Sequence, residues 1–205
     1  MLHALLLATQ VVVASQSAAA GTAPAAANTN PRGPKASATV AEATRAASAV
    51  IVDGRDDDAA WRDAQVIDAF RVYDPVTDGD PKEFRTEARV TYDDRYLYIF
   101  IRAFDPRPDS LQALLSRRDT RTQSDRLHVL VDSYHDRRTA YKFSVNPAGV
   151  QRDLYVSNDT NEDTSWDGIW SVGTKVEKDA WTAEYRIPFS QLRFAQRASH
   201  TFGLG

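Results

Sequence analysis

The stretch WDGIWSVGTKVEKDAWTAEYRIPFSQLRF, from Trp166 to Phe194, holds two alternating runs joined by a charged turn. In the first, Ile169 to Val176, the residues Val172, Thr174 and Val176 alternate with Ser171, Gly173 and Lys175, the period of two that a half-buried strand requires. Glu177, Lys178 and Asp179 supply the turn, and Trp181 to Ile187 forms the return strand. Pro188 has no N–H to give to a ladder, so the second strand stops there, and a helical turn through Ser190 and Gln191 leads to Leu192 and Phe194. The spacing predicts one antiparallel hairpin with one cap, and three tryptophans lie along it.

Upstream, strand follows strand. Glu87 to Tyr92, a turn at Asp93, Asp94 and Arg95, and Tyr96 to Phe104 read as a hairpin whose second strand, YLYIFIRAF, is apolar on both faces and therefore central. Two prolines between Asp105 and Pro108 end it, and Ser110 to Leu115 reads as a short helical turn capped by Asp109 or Ser110. Leu127 to Asp132 alternates again, and Tyr141, Phe143 and Val145 repeat the pattern after a turn at Ser133 to Arg138. Asn146, Pro147, Ala148 and Gly149 form a turn, with proline fixing φ and glycine supplying positive φ, and Val150 to Val156 is the next strand. Short strands, close spacing and few helices define an all-β fold, an antiparallel β-sandwich of jelly-roll-like type. The closing FGLG reads as the start of a further strand, as in a fragment of a longer protein.

With 205 residues, 42% of them hydrophobic, the chain can bury one sizeable core. Its net charge of −3 lacks the basic excess of nucleic-acid binders, so nucleic acid is not expected as a partner. The absence of cysteine excludes disulfides, a thiolate nucleophile and thiolate metal sites.

Residues 1–20 read as a signal peptide: an apolar run from Leu5 to Ala14 too short to span a bilayer, then small residues with Ala18 and Ala20 before Gly21. Export to the periplasm, outer membrane or extracellular space is expected. Residues 21–49, rich in Ala, Pro, Thr, Asn and Ser without an aromatic residue, read as a flexible linker with at most a helical turn at Glu42 to Ala47. The folded domain then covers residues 50–205.

Several runs in order carry a resemblance. IVDGRDDDAAW (Ile51 to Trp61), ARVTYDDRYLYIFIRAFDP, SDRLHVLVDS followed by YKFSVNPAGVQRD, and WDGIW with WTAEYRIPFSQLRF together resemble the family 9 carbohydrate-binding module from about Ile51 onward. More narrowly they resemble the variant at the N-terminus of bacterial proteins whose remainder is a predicted outer-membrane β-barrel. The resemblance implies a β-sandwich, carbohydrate binding, calcium as a structural ion and work alongside glycoside hydrolases in carbohydrate breakdown.

Sugar binding needs an aromatic face for the pyranose C–H patch beside groups that bond hydroxyls. Trp166 and Trp170, with Asp167 and Asn158 close in sequence, are the candidate platform, although Trp170, opening a strand, also suits the core. Trp61 is expected to plug one end of the sandwich, and Trp181 to pack across its hairpin. Asp159, Asn161 and Asp163 offer oxygens at alternate positions for calcium, but Thr164 and Trp170 stand where an EF-hand needs Gly and Glu. Asp53, Asp56, Asp57 and Asp58 are a second acidic cluster.

No nucleophile elbow, zinc-protease motif or phosphate loop is present. Asp132, Asp136, Asp153 and Glu184 are the carboxyls a glycosidase would draw on, and the spacing selects no pair. Haem held by Met and His is excluded once Met1 leaves with the signal peptide. The expected function is non-catalytic binding of a polysaccharide or oligosaccharide. The alternatives are an accessory domain for a C-terminal β-barrel that binds no sugar, and a glycoside hydrolase.

Overall fold

A computed structural model describes residues 40–72, 79–158 and 160–205, together with the backbone of 9–14. In chain order its strands are β1 (Thr9–Ala14), β2 (Val40–Arg45), β3 (Thr86–Tyr92), β4 (Tyr96–Phe104), β5 (Leu127–Asp132), β6 (Ala140–Val145), β7 (Gln151–Ser157), β8 (Asn161–Asp163), β9 (Ser171–Val176), β10 (Ala180–Pro188) and β11 (Ser199–Leu204). Among the described residues one α-helix, the five-residue α1 (Ala59–Asp63), stands between β2 and β3.

The strands form two layers. One runs β8-β7-β6-β5-β11 and the other β2-β3-β4-β10-β9; β1 bridges their edges, antiparallel to β11 and parallel to β2. All other pairings are antiparallel except β2 with β3. The core lies between the layers. Val129, Val131, Phe143 and Val145 project from one sheet and Ile99, Ile101, Ala183 and Tyr185 from the other, all buried.

YLYIFIRAF is indeed central, with β3 on one side and β10 on the other. Leu97, Ile99 and Ile101 enter the main core, while Tyr98 and Phe100 point outward and would be wet without cover. Residues 50–64 provide that cover. Val50, Ala60, Trp61 and Ala64 pack over Tyr98 and Phe100 as a second cluster, and the Trp61 and Phe100 rings lie 5.7 Å apart. Trp61 therefore seals the outer face of the second sheet and does not plug an end of the sandwich.

Glu184 fastens this cover. It lies directly opposite Gly173, is fully buried, and accepts the N–H groups of Asp53 and Gly54 at 2.9 Å and Trp61 Nε1 at 3.0 Å. Gly173 is needed because the 53–54 backbone crosses it: a Cβ there would meet Gly54 N at 2.6 Å.

Residues 40–45 correct the expectation of a linker with a helical turn. They form a strand whose Ala41 and Ala43 are buried in the main core. Alanine is a poor strand former, so this alternation is silent to propensity and decided by packing. Thr9–Ala14, inside the expected signal peptide, is also a strand. The remainder of residues 1–39 lies outside the described residues.

The helical turn predicted at Ser110 to Leu115 is displaced to Pro108–Ser110. Beyond it the chain spends its hydrogen bonds on residues 124–125, with Gln112 N–H on Asp125 Oδ2 at 2.7 Å and Leu114 N–H on Ser124 Oγ at 3.1 Å.

Candidate functional site

A cleft of about 500 Å³ lies at one end of the first sheet, lined by Ser133, Tyr134, His135, Arg197, His200 and Thr201 among others. Asp132, the last residue of β5, makes it. Its carboxylate accepts the N–H groups of Asp136 at 3.1 Å and Arg137 at 2.7 Å, curling residues 133–137 into a tight turn with positive φ at His135 and Arg137. Ser133 Oγ donates to Arg193 O at 2.6 Å, which ties the turn to the segment before β11.

Tyr134 is thereby held outward and remains 52% exposed. His200, which lines the cleft, is backed by the Phe194 ring at 4.8 Å, and Phe194 in turn packs on Phe202 at 5.5 Å. An exposed aromatic ring with imidazole, guanidinium and hydroxyl groups around it is the combination a pyranose requires: C–H groups on the ring face, hydroxyls on the polar rim. The one sign of this in the sequence is a tyrosine inside the otherwise polar turn Ser133 to Arg138.

The residues expected to bind sugar are not gathered in one place. Trp170 is buried, stacked on Tyr185 at 5.7 Å, with its Nε1 on Asp153 at 3.0 Å, so neither ring face is open to a ligand. Trp166 is half-buried against Tyr141 and Phe143, at 5.0 and 5.8 Å between ring centres. Its indole also lies on Gly168, where a Cβ would meet it at 2.6 Å. Tyr141 connects Trp166 to the cleft, since its hydroxyl accepts the Arg193 N–H at 3.3 Å. Asn158 is exposed and bonded by Arg138 Nη2 at 3.0 Å, next to the Tyr134 turn and away from Asp167.

Asp167 belongs to a different arrangement. Carboxylate oxygens of Asp119, Asp153 and Asp167 lie within 4.8 Å of one another. The Arg118 guanidinium already sits among them, on Asp153, on Asp167 at 3.1 Å and near Asp119 at 3.5 Å. Asp153 is saturated: besides Arg118 and Trp170 on Oδ1, Gly168 N–H donates to Oδ2 at 2.6 Å. These donors do not fit a resident cation, because the protein supplies its own.

In the loop expected to take calcium, Asn161 and Asp163 are exposed and Asp163 Oδ1 caps Ser165, accepting its N–H at 2.9 Å and its hydroxyl at 2.6 Å. Those bonds hold the Asp163 carboxyl below its usual value. Asp159 lies outside the described residues. In the other acidic cluster, Asp56 pairs with Arg89 at 2.8 Å and Arg102 at 3.2 Å, and Asp58 accepts the Ile51 N–H at 2.7 Å.

The four carboxyls weighed for catalysis are engaged likewise. Asp132, Asp153 and Glu184 hold the backbone as described, and Asp136 accepts the N–H groups of Arg138 and Thr139, each at 2.8 Å. Each one has backbone amides as partners.

Two packed sheets, largely antiparallel, with an open polar cleft at one end define an all-β sandwich domain. Within that class the chain belongs to the Carbohydrate family 9 binding domain-like family, whose profile matches residues 52–205. Among solved structures it is similar to a family 9 carbohydrate-binding module from Caldicellulosiruptor kristjanssonii in complex with glucose, at 18% identity and a TM-score of 0.49 over 78% of this chain and 83% of that one. The same organism's module in complex with cellotriose gives 17% identity and a TM-score of 0.49 over 78% and 82%. No curated protein matches the chain.

Proposed function

We propose that this domain binds carbohydrate without catalysing its cleavage, at the Tyr134 cleft, as a module of an exported protein engaged in polysaccharide breakdown or uptake. The observation that carries the reading is Tyr134, an aromatic ring left exposed over a polar cleft in a domain of a carbohydrate-binding family. The sugar face stacks on Tyr134, and His135, Arg197 and His200 bond its hydroxyls. Structural employment of Asp132, Asp136, Asp153 and Glu184 favours binding over glycoside hydrolysis.

Titration calorimetry with glucose, cellotriose and longer glycans tests this. Tyr134→Ala should weaken the tightest ligand about tenfold or more, the loss of roughly 1.5 kcal/mol of ring contact, with the melting temperature unchanged. Equal affinity in the variant removes the cleft from the account.

A second reading, an accessory domain that contacts a β-barrel of the same protein and binds no sugar, draws on Leu115 and Ile169, which are 83% and 76% exposed. Failure to bind any glycan in the wild type would favour it. Calcium at Asn161 and Asp163 has a separate test: added calcium should raise the melting temperature of the wild type and leave Asp163→Ala unmoved. A wild type indifferent to calcium and to chelator rules the ion out.

A further inference from the structure

The outer face of the β5–β8 sheet carries an excess of positive charge that runs against the net charge of the whole chain. Tyr141, Phe143 and Val145 point into the core, so Lys142 and Ser144 point away from it, and the register places Arg152 opposite Ser144 and Glu162 beside Val156 on that same outer face. The segment from Asp119, whose N–H donates to Gln151 O at 3.0 Å, to Arg126 crosses from β7 to the start of β5. Arg126 Nη2 bonds Thr122 Oγ1 at 2.8 Å, and Arg121 is exposed.

Four cations, Arg121, Arg126, Lys142 and Arg152, share this region with the carboxylate of Glu162, while Asp119 and Asp125 of the same segment are taken by Arg118 at 3.5 Å and the Gln112 N–H at 2.7 Å. The Glu162 carboxylate is already taken by Lys142 at 2.9 Å. Among the described residues none of the three arginines forms an ion pair, and a buried Nη1 of Arg126 has no hydrogen-bond partner. Burial, and then the charge of Arg152, lower the Arg126 pKa from its usual value. Arg152 and Arg121 in turn both act on Glu162, lowering its pKa behind the larger effect of Lys142. Like charges gathered this way repel one another and are relieved when an anion binds among them, and guanidinium is the side chain best shaped to grip a carboxylate with two parallel bonds.

We propose that this face is a second carbohydrate site, separate from the Tyr134 cleft, that takes acidic glycan chains through the ring carboxylates of uronate residues, with Arg121 and Arg152 as the gripping groups. The proposal rests on the carbohydrate-binding reading for its ligand class and on the charge cluster for its chemistry. The site selects among glycans, whereas the cleft grips a neutral ring.

Affinity electrophoresis of the full chain through gels containing polygalacturonate, its methyl-esterified form or double-stranded DNA, with calorimetric titration of cellotriose alongside, tests it. Polygalacturonate should retard the wild type at low ionic strength, and the esterified polymer and DNA should not. Arg121→Gln with Arg152→Gln should weaken the retardation about tenfold, the size expected for losing one or two charge-assisted hydrogen bonds, and leave cellotriose affinity and the melting temperature unchanged. Arg121→Gln alone, at an exposed position, gives a folded variant should Arg152 matter for stability, and it should show part of the loss. No retardation by polygalacturonate, equal retardation of the double variant, or equal retardation by DNA would each overturn the proposal. A loss of cellotriose binding without loss of polygalacturonate binding strikes the cleft and leaves this site standing.

Discussion

Glu184→Gln is expected to remove a fall in stability that the wild type shows between about pH 4.5 and 7. Burial is the largest influence on this carboxyl and pushes it up to about 7, against the opposing pull of the Gly54, Trp61 and Asp53 N–H donors. The folded chain therefore keeps the proton to about pH 7, whereas the unfolded chain releases it near 4.5. The group's contribution is fully present below the lower value, shrinks as pH rises, and levels off above the higher one. The difference is on the order of 3 kcal/mol. Urea midpoints of wild type and variant measured across that range isolate the effect, since every other titrating group is common to both. Parallel curves would show that Glu184 does not titrate there. Glu184→Ala is the harsher change: it leaves two backbone N–H groups and the Trp61 indole N–H without an acceptor in a dry layer, for roughly 3 kcal/mol or more. Near-ultraviolet circular dichroism should lose the Trp61 contribution as the 50–64 cover loosens.

Asp153→Ala should destabilise the domain by about 3 kcal/mol, the low end of the range for breaking a buried ion pair. The low end applies because Arg118 is 35% exposed and can turn to water, while the Asp153 side chain is wholly buried. The remaining cost falls on the Gly168 N–H and the Trp170 Nε1–H, which lose their acceptor in the interior. Since these bonds seat Trp170 on Tyr185, tryptophan fluorescence should shift to the red in the folded variant. The double change Arg118→Ala with Asp153→Ala should cost less than the two single changes summed, because they share one interaction. An additive double variant, or an unmoved midpoint for Asp153→Ala, would mean that the pair does not hold the 166–170 turn.

Most strands were legible because each shows the period of two and is bounded by turn residues. Tyr96 to Phe104 and Leu127 to Asp132 were read with the bounds they have. Val40–Arg45 escaped because its buried residues are alanines, whose small side chains give no contrast with their neighbours. The sugar site was less legible. Tryptophans at turn-like spacing suggested a platform, but Trp170 faces inward because its indole N–H has a buried acceptor, a carboxylate 17 residues away on β7. Tyr134 carried only the weak sign of an aromatic residue in a polar turn. Its exposure depends on Asp132 curling that turn and on Ser133 tying it to Arg193, and the second bond, across 60 residues, has no local pattern to announce it.

The sequence by itself determined most of the strands, the turns between them, the central strand and the family, since alternation and turn chemistry are local and survive in one dimension. Tertiary structure alone decided what each polar and aromatic residue in the Trp166 to Phe194 hairpin does. Glu184 has the same place in the alternation as a solvated outer-face residue, yet residues 50–64 fold over it and make it a buried anchor. Whether a side chain meets water or another chain segment is set by partners more than a hundred positions away, and that information exists only once the chain has folded.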